Sequence, residues 1–190
     1  VYISVKDDDN EDDNEPTYHF YFASNGKKTV STEKTIGNVK YTFDDRGVAQ
    51  DSWVHNSDKG TWKYYGDEEE PKLHTGWFEA VPSKELNSDD HENGTTHWYY
   101  ANSKGEITIP TADGEVGVVK TIDGKSYLFN SDGEMVTGLR ILTYDGSKIT
   151  NISSEVDTAD TVKNMNSDTM KLVYFESNGA AKTGTTTITL

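Results

Sequence analysis

Four tryptophans, Trp53, Trp62, Trp77 and Trp98, fall between positions 53 and 98, and none lies elsewhere in the 190 residues. Indoles brought together can act as a flat apolar wall for a sugar ring, or as a cage whose ring quadrupoles attract a quaternary ammonium. Tyrosines accompany them in Trp62-Lys63-Tyr64-Tyr65 and Trp98-Tyr99-Tyr100. The candidate ligand-binding residues are therefore Trp53, Trp62, Tyr64, Tyr65, Trp77, Trp98 and Tyr100. Core packing is the competing use of any single ring. Their clustering is what favours a binding groove.

Other chemistries lack their parts. The five histidines, His19, His55, His74, His91 and His97, contain no His-Glu-x-x-His pair, so metalloprotease ligands are missing and the rings read as surface or strand residues. The acidic runs Asp7 to Glu15, Asp67 to Glu70 and Asp89 to Glu92 could offer oxygens to Ca²⁺. None carries the glycine an EF-hand loop needs, and solvated loops are the expected reading, with no dedicated metal site. There is no Gly-x-Ser-x-Gly elbow, and the glycine turns are too far apart to cradle a phosphate. Carboxylate pairs for glycoside hydrolysis can be drawn in any chain this acidic, but no cleft or polarised pair singles one out. The expectation is a chain with no catalytic residue and no cofactor.

The elements that must hold the rings are built from an unusual composition. Ile, Leu, Val and Phe number only 36 of 190 residues, beside a net charge of −15, which is a disorder-like balance. Fifteen Tyr and Trp oppose that reading, because buried rings can replace a missing aliphatic core. The excess of 33 acidic over 18 basic residues repels phosphate backbones, so nucleic acid is not an expected partner. No apolar run is long enough to insert in a bilayer, and Val1 to Val5 do not form a basic region followed by a cleavable apolar stretch, so a soluble, already processed fragment is expected. The absence of Cys excludes a disulfide framework and fits the cytosol or an exported protein.

Self-similarity then sets the organisation. An aromatic, three residues and a Gly recur at Phe22 to Gly26, Phe43 to Gly47, Phe129 to Gly133 and Phe175 to Gly179, and with one insertion at Tyr100 to Gly105. Turn formers precede each Gly, and period-two aromatics such as Tyr41 and Phe43, Trp98 and Tyr100, or Tyr127 and Phe129 lie upstream, with polar or smaller residues expected on the other face. Asp123-Gly124 is a strong two-residue hairpin turn and Gly37-Asn38 a weaker one. Hairpins are accordingly expected near 2–22, 30–43, 52–65, 76–100, 116–129 and 138–175, with 184–190 starting another, in one repeat domain over 1–190. Long polar loops are expected inside three of them, at Asp7 to Glu15, Ser83 to Gly94 and Asp145 to Asp168. In the last, Asp157 to Met165 can form a helical turn or two with Val162 and Met165 on one face. A lone hairpin cannot bury enough surface to offset its ordering entropy, so an all-β solenoid of stacked β-hairpins is the expected fold.

Several segments resemble the cell-wall-binding repeats of Gram-positive surface proteins, related to choline-binding and glucan-binding modules. The matching residues are Thr61-Trp62-Lys63-Tyr64-Tyr65, Thr75-Gly76-Trp77, His97-Trp98-Tyr99-Tyr100, Tyr127 to Gly138 and Tyr174 to Gly184. The resemblance implies hairpins stacked as a left-handed superhelix, with ligands held against Trp and Tyr rings between neighbours. It also implies a secreted, surface-attached protein. A complete family site resembles a cage of the Trp in Thr-Gly-Trp, the Trp opening Trp-Tyr-Tyr, and a Tyr from the next hairpin. Only the third and fourth hairpins carry those Trp. Leu139 stands where Trp77 would recur, and Tyr127 and Val173 where Trp98 would.

The resemblance therefore implies a non-catalytic attachment module for a cell-wall polysaccharide, a glucan or a choline-bearing polymer. Having parts for about one cage tilts that reading slightly toward a glycan. The alternatives are a structural spacer or protein-interaction repeat without a glycan site, and the choline-binding module of a cell-wall lytic enzyme.

Overall fold

The computed structural model describes residues 18–190. Most of the hairpin expected near 2–22, with the acidic run Asp7 to Glu15, lies outside the described residues. The chain is mostly antiparallel β, with two short helices among the described residues, and it falls into two compact units.

The first unit comprises 18–76 and Ala101–Glu106. In it β1 (Thr32–Ile36) pairs with β2 (Val39–Phe43), and β3 (Trp53–Asn56) with β4 (Thr61–Tyr64). The β1/β2 turn is Gly37-Asn38, both residues at positive φ (57° and 71°), so the weaker of the two turn signals makes a left-handed two-residue turn. The core here is ring-based, with Phe43, Trp62 and Tyr65 buried beside Ala49 and Leu73.

The second unit comprises Trp77–Tyr100 and Ile107–Leu190. Its elements are β5 (Gly76–Ala80), α1 (Ser88–Asn93), β6 (His97–Ala101), β7 (Gly117–Ile122), β8 (Lys125–Asn130), β9 (Gly138–Asp145), β10 (Lys148–Ile152), α2 (Ala159–Lys163) and β11 (Met170–Phe175). β5 and β6 form a two-stranded sheet, and the remaining strands form one five-stranded sheet in the order β11-β9-β10-β7-β8. Asp123-Gly124 closes β7 on β8 with both residues at positive φ.

Two expectations change here. The stretch from Asp145 to Asp168 is not a bare loop. Gly146, at φ 59°, folds β10 back on β9, and Ile149 pairs with Gly117 to join β7 to the same sheet. Likewise Ser83 to Gly94 contains α1, capped by the Asn87 side chain accepting the Asp90 N–H and closed by Gly94 at φ 65°. The far side of the hairpins is also not uniformly polar. Tyr99 is fully buried and stacks on Phe78 (5.6 Å, 21°), and Leu128 packs with Leu142, Ile149 and Phe175. An inserted element supplies part of this cover, since Ile149 lies on β10. Val162 and Met165, which flank the end of α2, pack on Leu139, Ile141 and Val156, the common face expected of that segment.

One turn recurs in both units. Past the aromatic strand, an Asp or Asn side chain accepts two backbone N–H groups at the second and fourth positions ahead: Asp44 from Arg46 and Val48 (3.0 and 2.8 Å), Asn102 from Lys104 and Glu106 (2.8 and 3.1 Å), Asn130 from Asp132 and Glu134 (3.0 and 2.8 Å). The glycine that follows is required twice over in the second unit. Gly133 has φ 79°, and a Cβ there would sit 2.7 Å from Ile107. The returning chain then donates to an earlier hairpin: Ala49 N–H to His19 O (2.8 Å) and Leu73 N–H to Lys40 O (2.9 Å) in the first unit, Met135 N–H to Trp98 O (2.9 Å) and Ala181 N–H to Ser126 O (2.8 Å) in the second.

Phe129 has no exposed surface. Phe129→Ala should cost about 3 to 5 kcal/mol by leaving a cavity, read as a fall in the urea midpoint. The Asp44 turn gives a pH prediction. Burial alone would push its carboxyl up, but the Val48 N–H and the Arg46 guanidinium outweigh that and hold it below the usual carboxylate range. Its contribution is therefore present above the unfolded carboxylate value and lost as pH falls through the depressed folded one. Asp44→Asn keeps the acceptor oxygen and removes the titration, so melting curves between about pH 5 and pH 2 should fall less steeply than those of the parent chain.

Candidate functional site

Trp77, on β5, is half-buried among rings of its own unit. Its centroid lies 5.1 Å from Tyr100 and 4.8 Å from Tyr127, both near edge-to-face at 68° and 64°, and 5.8 Å from Phe129. Such tilted contacts set the positive ring edges against negative faces and fix the indole plane. The β period turns Trp98 and Tyr100 to the same side of β6. Trp98 stays 45% exposed, an open position for a large apolar ring. Trp77, Trp98, Tyr127 and the Met135 thioether, with Ser177 and Asn178 from the turn after β11, line a cavity of about 310 Å³. Lys120 Nζ lies 5.7 Å from the Tyr100 ring, at the outer side of the Trp77 cluster.

This arrangement suits a small cation or a flat apolar face. Three aromatic walls and a polarisable sulfur surround a space with no charged side chain in its lining. Ring faces can supply attraction for such a group, and Trp98 is the exposed wall.

The other sequence candidates sit in the first unit. Trp53 tilts against Tyr64 (4.9 Å, 41°) across the β3/β4 pair. Trp62 is buried and stacks flat on His55 (4.2 Å, 5°). Tyr65 is buried, its hydroxyl bonded to that of Thr42 at 2.9 Å. Tyr64 also touches His74 (5.1 Å), whose imidazole is pushed down by burial and by Lys72. Thus Trp77, Trp98 and Tyr100 fall in one unit, and Trp53, Trp62, Tyr64 and Tyr65 in the other.

Four lining residues were not among the sequence candidates: Tyr127, Met135, Ser177 and Asn178. Tyr127 lies within β8, the aromatic strand of the next hairpin after β6, and Met135 lies six residues past Phe129, where the return chain bonds to Trp98 O. Both belong to the repeated segment Tyr127 to Gly138, and the position of Tyr127 corresponds to that of Trp98.

No family model matches the sequence, and no curated relative does either. Solved structures do match. CbpJ from Streptococcus pneumoniae aligns with a TM-score of 0.53 at 19% identity, over 89% of this chain and 41% of that one. Choline binding protein F from the same organism aligns at 0.53 and 19% in the presence of a peptidoglycan analogue, over 90% and 40%. Its complex with ipratropium aligns at 0.54 and 20%, over 91% and 39%. The fold is that of the choline-binding proteins. The chain spans about two fifths of the length of those structures, and on this fold its cavity at Trp77 is built from two successive hairpins and the turn of a third.

The two Trp should separate in their roles. Trp77→Ala removes a ring in contact with three others and should cost on the order of 3 kcal/mol. Trp98→Ala, at the open wall, should cost under about 1 kcal/mol in urea denaturation.

Proposed function

We propose that the chain is a non-catalytic attachment module of an exported bacterial surface protein, one that holds a quaternary ammonium group of a choline-bearing cell-wall polymer in the cavity at Trp77, Trp98 and Tyr127. The observation that carries this reading is the lining itself: three rings and a thioether around about 310 Å³, without a charged side chain. A sugar would ask for more hydrogen-bonding groups along a groove than the Ser177 and Asn178 side chains of this lining, whereas three rings and a thioether suit a compact cation. This moves the preference from glycan to choline. The net charge of −15 adds a long-range field that favours a cation.

The naming of similar structures as choline-binding proteins, one obtained with a peptidoglycan analogue, agrees with this reading. The hairpins are read as parts of a stacked β-hairpin solenoid forming one repeat domain, since four segments within the two units bond to an earlier hairpin. For the first unit, burial of Trp62 and Tyr65 favours the spacer role: those rings already serve as core.

Tryptophan fluorescence during titration tests the ligand. Choline, and analogues that keep the quaternary ammonium, should shift emission saturably, and Trp98→Ala should weaken binding at least about tenfold, the loss of one cation–π wall of 1.4 kcal/mol or more. Added salt should weaken choline binding and leave neutral oligosaccharides unaffected. A response to oligosaccharides alone would restore the glycan reading, and no response to either would leave the spacer.

A further inference from the structure

On the side of β6 away from Trp98, three side chains from separate segments converge. Asp90 belongs to α1, His97 opens β6, and Glu134 follows the turn after β8. His97 Nε2 lies 2.9 Å from Asp90 Oδ2 and 3.7 Å from Glu134 Oε1, and the three atoms all lie within 4.8 Å of one another. Glu134 is 7% exposed, the one charged residue in the buried set of the described residues. Asn130 Nδ2 donates to its Oε2 (2.9 Å), which leaves Oε1 turned toward His97. Asn87 Nδ2 donates to both Asp90 Oδ2 (2.8 Å) and Glu134 Oε1 (3.0 Å).

The charge balance is what makes this cluster more than a hydrogen-bond network. Two carboxylates face each other, one of them buried, and among the described residues neither forms an ion pair with Lys or Arg. Holding two negative groups together out of water is costly unless a cation lies between them. The Asn87 amide N–H between them supplies only a dipole.

We propose that Asp90, His97 and Glu134 bind a divalent transition cation of the zinc class. The donor set is one imidazole nitrogen and two carboxylate oxygens, which such a cation accepts, whereas Ca²⁺ asks for six to eight oxygens and Mg²⁺ for near-octahedral oxygen. Zn–N and Zn–O distances of about 2.0 to 2.2 Å place tetrahedral ligands roughly 3.3 Å apart, so the 2.9 Å His97–Asp90 pair would open by about 0.4 Å, the 3.7 Å His97–Glu134 pair close by about as much, and the two carboxylates, within 4.8 Å, close by at most about 1.5 Å. His97 and Glu134 also line a cavity of about 550 Å³, from which water can complete the coordination. Asn130, holding the second Glu134 oxygen, orients the carboxylate as an outer partner commonly does. The ion would clip the inserted segment with α1 to the two segments that carry Trp98 and Met135.

The test uses the whole chain, treated with EDTA and exchanged into chelator-free buffer, then titrated with ZnCl2 by calorimetry and melted with and without it. One tight equivalent and a rise in melting temperature are expected. Asp90→Asn and His97→Gln should each weaken that binding at least tenfold and abolish the rise, with circular dichroism unchanged, and His55→Gln should bind within twofold of the parent. The proposal falls if Zn²⁺ does not bind, if His97→Gln and Asp90→Asn both bind like the parent, or if Ca²⁺ binds more tightly than Zn²⁺.

Discussion

A backbone hydrogen bond made from one hairpin to an earlier one is the constraint on which the rest depends. It recurs as Ala49 to His19, Leu73 to Lys40, Met135 to Trp98 and Ala181 to Ser126. In three of the four, the donor lies six residues past a strand-end Phe, at the point where an isolated β-bridge closes back on that Phe. The glycine within those six residues must take positive φ and carry no side chain, because the earlier hairpin fills the space. At Gly179 a Cβ would collide with the Met135 sulfur. Spacing, turn and glycine are therefore one device, and slipping the chain by a residue would break all three. The device also places Met135 beside Trp98, so the cavity wall follows from the repeat itself.

The small stock of aliphatic side chains is spent unevenly. The first unit packs Phe43, Trp62 and Tyr65, whereas the second concentrates Leu128, Leu139, Ile141, Leu142, Ile149 and Val156 in and beside its five-stranded sheet. The second unit buries rings as well, Phe78, Tyr99, Phe129 and Phe175, but adds this aliphatic set to them. Trp98 can stay half-exposed there without leaving the unit short of buried surface. The polar insertions contribute to the same end. β10 brings Ile149 and Ile152 to the Leu128 cluster, and the segment with α2 covers Leu139 and Ile141.

Antiparallel strands ending in glycine turns were legible because period-two rings and the Asp-Gly and Gly-Asn pairs are local signals. The hairpin of β9 and β10 carried the same signal, Tyr144-Asp145-Gly146-Ser147-Lys148-Ile149, but the surrounding Asp, Asn and Ser made the segment read as solvent-facing. What recruits β10 is non-local: Ile149 pairs with Gly117, more than thirty residues earlier. Of the site, Trp77, Trp98 and Tyr100 were legible from clustering and period. Tyr127 and Met135 were not, since their role depends on which hairpin follows β6 in space. The Asp90, His97 and Glu134 cluster escaped for the same reason. Its members share no motif spacing, and each taken alone reads as a surface residue.

Alternation along β6 joins these two sites. His97 and Tyr99 face the segment with α1, while Trp98 and Tyr100 face the Trp77 side. Glu134 and Met135 divide in the same way, one toward His97 and the other toward Trp98. The strand is thus held from both sides: Tyr99, fully buried, has its hydroxyl pushed well above the usual tyrosine range by burial and by the Glu134 charge, and Trp98 O accepts the Met135 N–H. A displacement of the segment with α1 reaches the aromatic wall through one residue of strand, since His97 and Trp98 share a peptide bond. The acidic insertion thus buttresses β6 at His97, through the 2.9 Å contact of its Nε2 with Asp90 Oδ2, one residue from the aromatic wall.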